Sequence, residues 1–134
     1  MVNLGLVVAQ FNASVTDEMA EAATDAADDR GVELTSTVRV PGVYDTPLAA
    51  DRLARQDDVD AVAVVGAVVT GDTAHDQTIA DATAESLQQV GLEHDTPVTF
   101  GITGPGQSGA EARERVEKGG AAVDAAVDLV GALP

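Results

Sequence analysis

Cysteine and tryptophan are absent from this chain of 134 residues, and bases are scarce. The missing thiols exclude disulfides, thiolate metal sites and cysteine nucleophiles. The aromatic residues are Phe11, Tyr44 and Phe100 alone, so the position of each matters. Seven bases stand against 23 acids, Lys118 is the only lysine, and the net charge is −16. So negative a chain is poorly suited to neutralising a phosphate backbone, which argues against a nucleic-acid partner. No apolar run approaches the ~20 residues that span a bilayer, so no membrane partner is expected. The opening MVNLGLVVAQFN lacks a basic stretch and a small-residue cleavage site, and does not read as a signal peptide. A cytoplasmic protein is expected.

What is present is a globular composition. Hydrophobic residues make up 45% of the chain, enough to build a core, and the length fits one domain over residues 1–134 that buries roughly two thirds of its unfolded surface. The acids are spread among apolar residues rather than gathered in a tail. That pattern favours adaptation to high salt, where surface carboxylates stay hydrated and their repulsion is screened, over a disordered acidic segment.

Along the chain, β-branched apolar runs alternate with alanine-rich amphipathic stretches. Residues 4–9 form a first strand, followed by the polar loop Gln10–Ser14 and a helix to about Arg30. Thr16 is the expected cap of that helix, with Asp17 and Glu18 at its positive end, and Gly31 is its stop. Residues 33–40 alternate as a second strand ended by Pro41-Gly42. Thr46-Pro47 opens a helix running to about Arg55. Residues 61–69 are apolar without alternation, as in a central parallel strand buried on both faces. A helix over residues 75–90 and a strand over 97–102 follow. The Gly/Pro-rich loop 104–109 then leads into one final helix with Val116, Val123, Val127 and Val130 on a stripe. Four such units predict a three-layer α/β/α sandwich around a four-stranded parallel sheet.

Ligands in such sheets bind at the carboxyl ends of the strands, which selects four loops. In the first, Phe11 offers a ring face for a planar ligand and Asn12 an amide beside it; a core ring and a turn residue read equally well. In the second, Val43, Tyr44 and Asp45 form either a plain turn or a polar rim for hydroxyl and ring-NH groups. In the third, Gly71 permits a tight turn, amides near Thr73 make an anion seat at a helix start, and His75 follows as a proton carrier. His94, without such company, reads as surface. In the fourth region, Arg115 and Arg113 are either phosphate ligands or partners of nearby glutamates. Two distant histidines lack metal-site spacing, so no metal is expected. The Gly-x-Gly-x-x-Gly fingerprint is missing, which argues against a dinucleotide. What remains suits chemistry on a planar heterocycle and a small phosphorylated partner.

These residues resemble a known family, the 6,7-dimethyl-8-ribityllumazine synthases of riboflavin biosynthesis. The matching blocks are Ala9–Asn12, Val40–Asp45, Gly66–His75 and Phe100-Gly101, and Gly101–Gly106 with Glu114–Val116 is closest to the archaeal branch. The resemblance implies a flavodoxin-like fold. It also implies condensation of 5-amino-6-(D-ribitylamino)uracil with 3,4-dihydroxy-2-butanone 4-phosphate, without metal or cofactor, in a pentamer or an assembly of pentamers. Phe11 would then stack on the pyrimidine with Asn12 beside it. Val43, Tyr44 and Asp45 would meet the ribityl chain, and Ala67, Val68 and Val69 the edge of the ring. Asp72 and Thr73 would seat the phosphate together with Arg115, and His75 would carry protons. Phe100 and Arg115 would come from a neighbouring subunit. Departures from the family pattern are Thr70 in place of a frequent base, Ala74, Asp76 and Gln77 around the histidine, and Gly119-Gly120 where a lysine is common, with Lys118 displaced. The chain also starts directly at the first strand, without the leading segment many members carry. Two other readings are an archaeal riboflavin synthase paralogue, which lacks the Gly71–His75 block, and a non-catalytic flavin-binding α/β module.

Overall fold

A computed structural model of the chain describes residues 1–71 and 75–134. Four strands, β1 (Asn3–Ala9), β2 (Glu33–Val40), β3 (Ala61–Ala67) and β4 (Val98–Thr103), alternate with helices α1 (Ala13–Arg30), α2 (Thr46–Ala54), α3 (His75–His94), α4 (Gly109–Arg113) and α5 (Lys118–Ala132). All strand pairs are parallel, in the order β2-β1-β3-β4. That is the flavodoxin-like arrangement, in which the chain reverses direction across the sheet between β1 and β3.

The burial pattern explains the order. Every residue of β3 is buried, as a strand covered on both faces must be. On β1 the side chains alternate between two cores. Leu4, Leu6 and Val8 pack with Val15, Met19 and Ala23 of α1 and Val123 and Ala126 of α5. Val7 and Ala9 pack with Ala50 and Leu53 of α2 and Leu87 and Val90 of α3. Burying each of the larger side chains contributes about 1.5–3 kcal/mol. β2, at one edge, instead alternates between exposed and half-buried positions. Helices thus cover both faces, and the three-layer expectation holds.

Among the close approaches that require glycine, two bear on the site and its surroundings. A Cβ at Gly66 would crowd Ala9, Val43 and Ile102, and one at Gly119 would collide with the carbonyl oxygen of Met19. The second contact brings the start of α5 against α1 with no side chain between them.

Some boundaries differ from expectation. The first helix starts at Ala13, so Thr16 is not its cap; it is buried in the second turn, with its hydroxyl directed back at the carbonyls of Gln10 and Asn12. Asn12 takes the flanking position instead, with φ 61° and ψ 55°, a conformation its short polar side chain tolerates. The last helix is two: Ser108 and Glu111 bond reciprocally to each other's backbone amides and start α4, and a turn over residues 114–117 separates it from α5. No helix among the described residues is long and apolar enough to cross a membrane.

Candidate active site

The carboxyl ends of β1, β2 and β3 open on one cleft of about 480 Å³, at the point where the sheet order reverses. Its lining comes from the loops selected above: Phe11 after β1, Pro41 to Asp45 after β2, Ala67 to Val69 and Gly71 after β3, and His75, Asp76 and Ile79 from the start of α3.

Backbone hydrogen bonds draw these loops together. Gln10 N donates to Val40 O at 2.8 Å and Phe11 N to Pro41 O at 3.0 Å, which continue the β1–β2 pairing past the strand ends. They place the Phe11 ring beside the 3-10 turn Val43–Asp45. The ring is 56% exposed and Tyr44 72% exposed, which is costly for so few aromatics unless something covers them. Val43 and Val68 are buried and form an apolar floor. The Asp45 carboxylate closes the turn by accepting from Gly42 N at 3.0 Å, so its bond to the backbone orients it at the rim. The Thr46 hydroxyl donates to Val43 O at 2.8 Å and fixes the turn from below.

His75 is exposed and begins the 20-residue helix α3, at the helix's positive end. Ile79, one turn further on, shares its face. Asp72 and Thr73, the expected phosphate seat, lie outside the described residues.

Phe100 and Arg115 do not line this cleft. Phe100 is on the edge strand β4, 37% exposed. Arg115 lines a separate depression with Thr103, Gly104, Pro105, Glu117, Lys118 and Ala121. The displaced lysine therefore does stand near the arginine. Arg115 is also 3.9 Å from Glu111, while Arg113 bonds to the Ser14 hydroxyl. Ser108 and neighbouring Arg115 each help hold the Glu111 carboxyl below its ordinary range, the Ser108 backbone bond most strongly. Among the described residues, no arginine or lysine lines the cleft itself.

Asn12 is absent from the lining too, and its side-chain amide nitrogen is buried with no hydrogen-bond partner among the described residues. An unpaired buried donor is costly, and this one sits next to Phe11.

The expectation that His94 lies on the surface is corrected. Its ring is 19% exposed, and Nε2 donates to Asp51 Oδ1 at 2.7 Å. Asp51 also pairs with Arg55, and Glu93 stands close by. The hydrogen bond from His94 and the nearby Arg55 charge hold the Asp51 carboxyl below its ordinary range, against the effect of burial. This group ties α2 to the end of α3, roughly 28 Å of helix from His75 at 1.5 Å per residue.

Pro41, Gly42 and Gly71 come from the loops selected by sequence without having been assigned a contact, and Asp76 and Ile79 join the site beyond those loops. Ile79 was accessible to a helical-spacing argument from His75; the others follow only from the packing of the loops.

The chain is also similar to known proteins along almost its whole length. The family model described as 6,7-dimethyl-8-ribityllumazine synthase matches residues 1–133. Proteins of that name from Halorubrum lacusprofundi and Halobacterium salinarum are each 68% identical over 133 residues, covering 99% of this chain and 99% and 100% of theirs. One from Methanocaldococcus jannaschii is 44% identical, over 99% of this chain and 94% of its own. A cleft at the reversal point of a 2-1-3-4 sheet and a family match along almost the whole sequence lead to one conclusion: the chain belongs to the 6,7-dimethyl-8-ribityllumazine synthase family.

Proposed function

We propose that the chain, acting as one domain, is a transferase of riboflavin biosynthesis that makes 6,7-dimethyl-8-ribityllumazine in this cleft. The substrates are 5-amino-6-(D-ribitylamino)uracil and 3,4-dihydroxy-2-butanone 4-phosphate, and phosphate and water are released. The observation that carries the reading is the convergence of a solvent-facing aromatic ring, an apolar floor and a helix-initial histidine on one concave surface.

Each part has a physical role. The Phe11 ring covers the pyrimidine face, with Asn12 next to it in the chain. Ala67, Val68 and Val69 exclude water from the ring's edge. Val43, Tyr44 and Asp45 meet the ribityl hydroxyls at the rim. The substrate amine is already a nucleophile, so holding two molecules in register supplies much of the rate. Joining it to a ketone carbon expels the carbonyl oxygen as water, and His75 carries the protons this needs. Asp72, Thr73 and the start of α3 receive the phosphate. No metal or cofactor takes part in this scheme.

A phosphate held only by a cleft that carries Asp45 and Asp76 would face net negative charge. A fixed cation is required, and Arg115 lies elsewhere on the same chain. An adjacent subunit supplies it, along with Phe100, in a ring of five. The enzyme works in a cytoplasm of high salt, in keeping with a net charge of −16 and relatives from Halorubrum and Halobacterium.

The test is the two-substrate assay, read by lumazine fluorescence across a salt series with sedimentation in parallel. Product formation that tracks the pentamer is expected. An inactive pentamer, or an active monomer, would overturn the respective half of the proposal.

A further inference from the structure

We infer that Gln107 is a positioning residue for this reaction, holding the Arg115 guanidinium in place for the phosphate. The inference rests on the reading of Arg115 as the phosphate cation.

Gln107 is 1% exposed, yet it lies in a Gly/Pro-rich loop between the exposed residues Gly106 and Ser108. A buried amide is tolerated only when its polar atoms are engaged, and here both ends are. Nε2 donates to Thr103 Oγ1 at 2.8 Å and to Val68 O at 3.3 Å. Oε1 accepts from Arg115 Nη1 at 2.5 Å. The Gln107 backbone carbonyl accepts from Thr70 N at 2.8 Å. One residue thus grips the segment Val68–Thr70 of the cleft and a guanidinium outside it. Nearby, Gly106 N donates to Asp76 Oδ2 at 3.1 Å, a second brace on the first turn of α3.

The choice of an amide has an electrostatic consequence. Glu111 stands 3.9 Å from Arg115, beyond hydrogen-bond reach. The close partner, at 2.5 Å, is neutral, so it orients the guanidinium without adding to the negative charge that Glu111 already sets nearby. A carboxylate in the same place would hold Arg115 equally well and neutralise it.

The experiment compares Gln107→Met, Gln107→Glu, Arg115→Ala and the two double variants in the two-substrate assay, with inorganic phosphate as competitive inhibitor. Loss of one hydrogen bond to a charged group is worth about tenfold at its low end, so Gln107→Met should raise KM for the butanone phosphate by about that factor. KM for the pyrimidine should stay unchanged, and inhibition by inorganic phosphate should weaken in parallel. Gln107→Glu, of the same shape, should raise the same KM at least as much, and it serves alone if the methionine variant does not fold. With Arg115 already replaced, neither change at position 107 should matter further. A Gln107 effect that persists without Arg115, or that moves both KM values alike, would mark a packing role only and sink the inference. So would an unchanged KM in either variant. Should Arg115→Ala itself leave phosphate inhibition intact, the reading of Arg115 falls first and takes this inference with it.

Discussion

Replacing Gly66 by alanine strains the cleft from beneath. The new Cβ would stand 2.9 Å from Ala9 Cβ, 3.0 Å from Val43 Cγ2 and 3.2 Å from Ile102 Cδ1. Ordinary carbon–carbon contact is about 3.5–4.0 Å, so each neighbour must retreat by roughly half an ångström. None does so freely: Ala9 is fixed in β1, Val43 is buried in its turn, and Ile102 is fully enclosed. Overpacking of this kind costs about 1–3 kcal/mol, offset by roughly 0.5–1 kcal/mol from removing a glycine from a strand. The net loss of about 0.5–2 kcal/mol lowers the thermal midpoint by roughly 2–8 °C, at ~4 °C per kcal/mol for a chain of this length. Circular dichroism at fixed salt and protein concentration reads it. Ala9 leads into Phe11, and Val43 lies in the cleft lining, so KM for the pyrimidine should rise more than KM for the phosphate. A midpoint at or above that of the parent, with both KM values unchanged, would refute the reasoning.

Loss of the His75 imidazole in His75→Ala should lower kcat by ~10²–10⁴-fold without abolishing turnover; full turnover would make His75 a bystander. Phe11→Ala should weaken pyrimidine binding by the ~1–3 kcal/mol of ring stacking while Phe11→Tyr retains it, and equal KM values in a substrate titration would count against stacking. Asp51 is more acidic folded than unfolded. Its contribution is therefore complete above the ordinary carboxylate range and is lost as pH falls through the depressed value. In urea titrations, the stability gap between the parent and Asp51→Asn should narrow as pH falls below about 5; a constant gap would contradict the assignment. Lowering the salt lengthens the reach of repulsion among carboxylates, from ~8 Å at physiological ionic strength to ~30 Å at 0.01 M. The proposed pentamer should therefore dissociate on dilution into low salt, and sedimentation unchanged by salt would count against that reading.

The layers of the fold were readable because β3 and the α/β alternation carry strong periodic signals, and β3 is indeed buried along its whole length. Ends were harder. Thr16 looked like a cap because it precedes two acids, but the helix had already begun after Asn12, whose left-handed backbone leaves no mark in a propensity argument. Ser108 three residues before Glu111 is a reciprocal cap pattern that marks where α4 starts, not its break from α5 at residues 114–117. Of the site, Phe11, the 43–45 turn, residues 67–69 and His75 meet in one cleft as expected from their strand ends. His94 was misjudged because its partner, Asp51, is 43 positions away. Gln107 escaped notice for the same reason: its partners are scattered from Val68 to Arg115, and the loop around it reads as solvent-facing.

The touching backbones of Gly119 and Met19 also govern direction. Lys118 is the preceding residue and shares a depression with Arg115. Since no methyl fits at 119, the rotation of α5 about its own axis is keyed to the bare main chain of α1. A larger residue there would push the start of α5 off α1 and carry Lys118 with it, so that a change made on the hidden side of the helix would be felt in the depression on its open side.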